Sequence, residues 1–262
     1  MAEISASAVK ALREMTGQGM MECKKALTET KGDMDAAVEL LRKHGMAQAQ
    51  KKAAREAKEG LIDVARGNGG AAMVEVNCET DFCARNDEFG TMVASVAKLA
   101  VACPDGAVAE TPAIKDTVQA CFNKIGENMK YARGVKISAP RIGVYIHHNR
   151  KVGVLVGVEG ELPEETLSDL CMHIAFTDPM AITPDQVPAE LVAREERIAK
   201  EQAAESGKPA EVVEKMVKGK VQKFLAENAL LEQPFVRDDK KKVKEILGSA
   251  KILAFARFAL GQ

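Results

Sequence analysis

Aromatic residues are scarce in this 262-residue sequence, with no Trp, two Tyr and eight Phe. Base-stacking platforms and ring-anchored interfaces draw on such side chains, so any exposed ring carries unusual weight. An excess of one charge is also lacking, since 37 Lys and Arg face 38 Asp and Glu for a net of −1. A general nucleic-acid coat needs a basic excess against phosphate, so direct nucleic-acid binding is not expected. Long apolar runs are missing too. The stretch Met92–Cys103 is cut by Lys98 and falls short of the roughly 20 residues that a membrane helix needs. The opening Met1-Ala2-Glu3-Ile4-Ser5-Ala6 meets Lys10 and Arg13 before any apolar run develops, which is no secretory signal. A cytoplasmic protein without membrane contact is the expectation. The six cysteines, at 23, 78, 83, 103, 121 and 171, then read as free, mostly buried thiols rather than a disulfide framework.

What is present is an ordinary globular balance of 46% apolar and 29% charged residues, at a length that suggests about two domains. Residues 1–54 read as a three-helix unit and its linker. Ser5 and Ser7 are capping candidates before Val9 and Leu12, and Gly17 closes the first helix. Cys23, Ala26 and Leu27 stripe the second, up to Gly32. Asp33 caps a third, striped by Ala37, Val38 and Leu41 and stopped at Gly45. Met46–Gly60 is an Ala- and Lys-rich run expected to form a solvated helical linker. Its Lys51, Lys52, Arg55 and Lys58 read as a wet helix face.

The period then changes from helical to alternating. Leu61–Arg66 and Ala71–Cys78 flank Gly67-Asn68-Gly69-Gly70, a hairpin signal. Val74, Val76 and Cys78 share one face, with Glu75 and Asn77 on the other. Asp87 is a candidate cap for a helix through Phe89, Met92, Val93 and Val96. A second helix carries Ile114, Val118, Cys121 and Phe122 up to Gly126, and Tyr131–Ser138 is extended. The same unit recurs as strands Ile142–His147 and Val152–Val158, then a helix from about Glu164 striped by Leu167, Leu170, Cys171 and Ile174. Two charge-dense runs in Pro188–Glu232 flank Ser206-Gly207-Lys208-Pro209, which predicts an antiparallel helical hairpin protruding from the second half. Ile246-Leu247 anchors a short helix, and Ile252–Leu260 reads as a largely buried final strand. The expectation is an α+β protein with an N-terminal bundle (1–54) and two related α/β subdomains (55–139 and 140–262). The second subdomain would carry the hairpin 188–232.

Most enzyme signatures fail. The glycine run at 67–70 is followed by a strand and lacks a Gly-Lys-Ser/Thr, so it cradles no phosphate. None of the seven serines lies in a G-x-S-x-G elbow, and no H-E-x-x-H occurs. Cys78, Cys83, His147 and His148 could in principle hold zinc, but their spacing forms no two-residue knuckle. Cys83 as a nucleophile has no His near it in sequence, and His173 reads as a helix residue beside a buried stripe. The distinctive local feature is Thr80-Asp81-Phe82, set between a strand and a helix. Asp81 caps a turn there with Phe82 plugging the core, or Phe82 is an exposed wedge for a partner's apolar seam while Asp81 disturbs a cation. Met20-Met21 after Thr16-Gly17-Gln18-Gly19 is either bundle core or a soft contact surface; adjacent helix positions cannot both face inward.

These segments carry a resemblance. Thr16–Leu27 (TGQGMMECKKAL) and Glu75–Phe82 (EVNCETDF) resemble the two signatures of the bacterial elongation factor Ts family. Similarity extends to Lys124–Asn128, Val152–Val156, Ser206–Pro209 and Gln233–Val236, so it spans essentially the whole chain. The resemblance implies a guanine nucleotide exchange factor for elongation factor Tu, with no cofactor and no bond-making chemistry of its own. It implies a ubiquitin-associated-like N-terminal bundle and a two-part core with a coiled-coil hairpin. By position, Thr80, Asp81, Phe82 and Cys83 would dislodge Mg²⁺ from the GTPase. Arg13, Met20 and Met21 would dock the bundle, and Gly126, Glu127, Asn128 and His147 would meet another domain of the partner. Cys83 stands where the family commonly has an aliphatic residue, and the turn His147–Lys151 is slightly longer than usual. The sequence stops at Gly261-Gln262, where many members continue into a C-terminal helical module, which leaves that module's contact with the partner open. Two rivals stay open: a bare binding module without exchange activity, and a thiol or zinc enzyme using Cys78, Cys83 and His147. A homodimer through the helical hairpin is a further expectation.

Overall fold

The computed structural model describes residues 4–67, 69–204 and 209–262. Three helices come first: α1 (Ala6–Thr16), α2 (Met20–Glu29) and α3 (Met34–Lys52). Ser5 caps α1 by accepting from the Ala8 amide, and Asp33 caps α3 by accepting from Ala36. Gly17 closes α1 in the left-handed region that glycine tolerates without a Cβ penalty. Val9, Leu12, Cys23, Leu27 and Leu41 form a small core of their own. Gly45 corrects the sequence reading, because it does not stop the helix. It is buried inside α3, where a Cβ would collide with the Asn123 side chain on a neighbouring helix. A glycine that lets two helices approach carries the same sequence signal as a terminating one. The helical linker is correspondingly shorter than expected, with α3 taking its first half.

Next come β1 (Glu59–Gly67), β2 (Gly70–Cys78), the one-turn α4 (Asp81–Ala84), α5 (Asp87–Val101), β3 (Gly106–Ala107), α6 (Pro112–Ile125) and β4 (Met129–Ser138). Asn86, not Asp87, caps α5 by accepting from the Glu88 amide. The β1–β2 pairing closes at Gly67↔Gly70, and Asn68 of the expected turn lies outside the described residues. The later elements are β5 (Arg141–Ile146), β6 (Val152–Glu159), α7 (Glu164–Thr177), α8 (Ala189–Ala204), α9 (Ala210–Asn228), β7 (Pro234–Phe235), β8 (Asp238–Lys242), α10 (Val243–Ile246) and β9 (Lys251–Ala259). Helices α8 and α9 pack through Ala199, Ala203 and Val217. Of the turn expected between them, Ser206, Gly207 and Lys208 lie outside the described residues.

The two main sheets share one plan. A hairpin is followed by helices, and a later strand then joins the hairpin's second strand, giving β1-β2-β4-β3 and β5-β6-β9. Valines of β2 (74 and 76) face α5 and α6 across one core, and valines of β6 (154, 156 and 158) face α7 across another. Between the sheets lies a third core of Ile62, Ala71, Met73, Ile137, Leu155 and Phe258. The layers are therefore helix, sheet, sheet, helix, with β2 and β6 covered on both faces. Gly153 makes the close sheet contact possible, since a Cβ there would sit 2.7 Å from both Ile62 Cγ2 and Met73 Sδ. This arrangement corrects two simple alternations. Glu75 and Asn77 are buried although polar, because their face meets the second sheet. The final strand β9 is an edge strand in which only Phe258 is buried.

Candidate functional site

Strand β2 delivers the chain into α4 within three residues. Thr80 caps that single turn, its Oγ1 accepting from the Cys83 amide at 3.1 Å. The cap belongs to Thr80 and not to Asp81, whose carboxylate instead pairs with Arg85 at 3.0 Å. Cys83 and Ala84 turn inward and are buried. On so short a helix the residue beside them must face outward, and Phe82 is 80% exposed. Burying a Phe is worth about 1.5–3 kcal/mol, a gain that this ring, like Phe176 on α7, forgoes in the free protein. The structure thus decides against Phe82 as core filler.

The turn is braced from the loop after α6. Gly126 ends α6 in the left-handed region. Glu127 accepts from the Thr80 amide at 3.1 Å and from the Thr80 hydroxyl at 2.9 and 3.1 Å. In return Glu79 accepts from the Asn128 amide at 2.6 Å. Asn128 is buried and donates its side chain to the Arg55 carbonyl at 2.8 Å, and Arg55 also lies 3.4 Å from Glu79. Lys52, at the end of α3, donates to the Gly126 carbonyl. Lys52 and Arg55 correct the sequence reading of a wet helix face, because they bond this loop, and the part that Glu79 plays was not anticipated. Their partners stand 24 to 74 positions away, and no local pattern marks such a pairing.

Met20 and Met21 are 49% and 66% exposed at the start of α2, with Arg13 exposed on α1. The core reading for the two methionines is therefore overturned, because Cys23, Ala26 and Leu27 occupy the inward stripe of that helix. The loop before them approaches the Phe82 segment through α6. Gly17 lies against the Lys124 side chain, and Lys124 pairs with Glu88 of α5 at 2.8 Å. This chain of contacts links the Met20–Met21 loop to the segment carrying Phe82. His147 is half-buried at the end of β5, its Nδ1 2.7 Å from the Tyr145 hydroxyl and its ring 4.3 Å from that of His148. The same turn contains Arg150, which pairs with Asp63 at 2.6 Å and whose carbonyl accepts from the Ile62 amide. Arg150 and the α4–α5 junction (Arg85, Asn86 and Asp87) line one cavity.

All six cysteines are free thiols, and five are buried. The Cys83 thiol is pushed well up, first by its hydrogen bond to Cys78 and then by burial, so it keeps its proton at neutral pH. Among the described residues no group of three or more His, Cys, Asp and Glu is placed to hold a metal, and His147 does not join Cys78 and Cys83 in one. His173 is fully buried. Its Nδ1 accepts from the Val236 amide and its Nε2 lies 2.9 Å from Gln233 Oε1, which assigns the neutral imidazole with the proton on Nε2. Among the described residues no helix is long and apolar enough to cross a membrane.

The fold and this site define a mixed helix-and-sheet protein that offers an exposed ring on a braced turn. The family model for Elongation factor TS matches residues 79–262. Elongation factor Ts of Thioalkalivibrio sulfidiphilus is 46% identical, the match covering 99% of this chain and 92% of that protein. Those of Rhizorhabdus wittichii and Francisella tularensis subsp. novicida are 45% and 44% identical, over 100% of this chain and 94% and 93% of theirs. The chain belongs to the elongation factor Ts family, a family of translation elongation factors.

Proposed function

We propose that this protein is a guanine nucleotide exchange factor for elongation factor Tu, acting in the cytoplasm by protein–protein binding and without direct contact to nucleic acid or membrane. The observation that carries this reading is the 80% exposure of Phe82 on an otherwise ordered turn. In the proposed mechanism Phe82 enters an apolar seam of the GTPase. Thr80, Asp81, Phe82 and Cys83 together displace the Mg²⁺ that holds the nucleotide phosphates. Arg13, Met20 and Met21 dock the N-terminal bundle, and Gly126 and His147 touch a second domain of the partner. Glu127 and Asn128, which the resemblance would place against the partner, are bonded inside the molecule and serve that face from within. The same reading divides the chain into a ubiquitin-associated-like unit at 1–54 and subdomains at 55–139 and 140–262.

The physical basis is linkage. A factor that binds the nucleotide-free partner more tightly than the loaded one weakens nucleotide binding by the same ratio. Accelerating release about 10⁴-fold requires roughly 5.5 kcal/mol of differential stabilisation. One buried aromatic hot spot supplies about 2–4 kcal/mol of that. Lost Mg²⁺ contacts to the phosphates supply the remainder. No covalent step is involved, which agrees with the protonated, buried Cys83.

The test is release of labelled GDP from elongation factor Tu at trace concentrations of this protein. Phe82→Ala is expected to slow the accelerated release by more than about tenfold while leaving the melting temperature nearly unchanged. Full acceleration by that variant would sink the wedge. A bare binding module would bind the partner with no acceleration at all.

A further inference from the structure

Two glutamates on separate loops clasp each other's backbones beneath Phe82. Glu79 accepts from the Asn128 amide at 2.6 Å, while Glu127 accepts from the Thr80 amide at 3.1 Å. Each carboxylate thus holds the residue that follows the other in sequence. Glu127 adds the Thr80 hydroxyl at 2.9 Å, and that same oxygen caps α4 through the Cys83 amide. Both carboxylate oxygens of Glu127 are engaged inside the molecule, and Asn128 is buried. Lys52 and Arg55, which lead from the N-terminal bundle, join the same cluster at Gly126, Glu79 and Asn128.

We propose that Glu127, with Glu79 as its reciprocal, is a positioning residue of the exchange site: it sets the angle of Phe82 through Thr80 and does not itself contact the partner. This rests on the reading of Phe82 as the exchange wedge. The charge matters to the assignment. A carboxylate accepts a backbone N–H and a hydroxyl proton together in a short, directional arrangement that a neutral acceptor reproduces only in part. An aromatic wedge works only when aimed, and small misplacements of a group held for such a task are costly. The tie through Lys52 and Arg55 fixes the wedge relative to the docking methionines, so both reach the partner in one register.

The experiment measures GDP release as a function of factor concentration, together with amide hydrogen exchange of the free factor. Glu127→Ala is expected to lower the maximal release rate about tenfold with the half-saturating concentration changed less than about twofold. In a Phe82→Ala background the same substitution is expected to add less than about twofold, because a residue acting only through Phe82 has nothing left to position. In the free factor the Thr80 and Cys83 amides exchange faster, while α1–α3 keep their protection. Glu127→Gln, which keeps size and one acceptor oxygen, falls between wild type and alanine and carries the comparison should the alanine variant fail to fold. A raised half-saturating concentration at unchanged maximal rate would make Glu127 a direct contact and overturn the proposal. So would an undiminished effect in the Phe82→Ala background, or unchanged protection at Thr80 and Cys83. The Phe82→Ala protein alone reports on the wedge, so its failure is distinguishable from failure of the clasp.

Discussion

His173 illustrates how much of a residue's role depends on what the fold sets around it. The sequence places it beside the Leu170–Ile174 stripe of α7, and the structure buries it completely against Phe235, with ring centroids 5.8 Å apart. Burial pushes its imidazole below the usual histidine range. The folded pKa is therefore lower than the unfolded one near 6.5. A neutral histidine of this kind contributes stability above the unfolded pKa and loses it as pH falls below that value. The urea midpoint is expected to drop between pH 7 and pH 5, and His173→Gln is expected to flatten that slope. An identical slope in both proteins would show that acid sensitivity arises elsewhere. The Gln233-Pro234-Phe235-Val236 motif gains a physical account here. Gln233 accepts from Thr177 and donates to the Glu227 carbonyl, and Val236 offers its amide to His173.

At the scale of elements, periodicity over ten or more residues was a dependable guide. Helices α5, α6, α7 and the α8–α9 hairpin follow their apolar stripes, and the β1–β2 hairpin follows its glycines. Legibility ended where an element is too short to show a period, as with the four residues of α4 and the two of β3. It ended also where one residue type has two uses, as glycine does, which stops α1 at Gly17 but lets two helices approach at Gly45. The site was legible as a segment, because Thr80–Cys83 and Met20–Met21 stand out locally. Its geometry was not, since the clasp joins residues 47 and 49 positions apart. The helical hairpin has its own prediction. Hairpin-mediated self-association, expected from the sequence, is carried here as a proposal. Light scattering is expected to report a smaller mass per particle after removal of 188–232, beyond the loss of that segment itself. An unchanged stoichiometry would remove the hairpin as a dimer surface.

Across the whole molecule the seam between the two sheets is the structural centre. Glu75 is 2% exposed there, pairs with Arg133 at 2.8 Å and accepts from the Gly261 amide, while Arg133 lies over the Phe258 ring. Removing the Glu75 carboxylate leaves the Gly261 amide and the one-third-exposed Arg133 without their acceptor, at a cost of about 1–3 kcal/mol. Glu75→Ala is expected to lower the unfolding free energy by about that amount in a denaturant titration, with both sheets affected together. A change under about 0.5 kcal/mol, typical of the surface, would mean the seam is held by its apolar contacts alone. The seam has a mechanical consequence. Strand β2, covered by a helix layer on one side and a sheet on the other, ends only three residues before the turn that carries Phe82. A strand so placed opens last in native-state fluctuations. On the proposed reading, a ring pressed into another protein would be backed by a strand held on both of its faces, so the partner would be the body that yields.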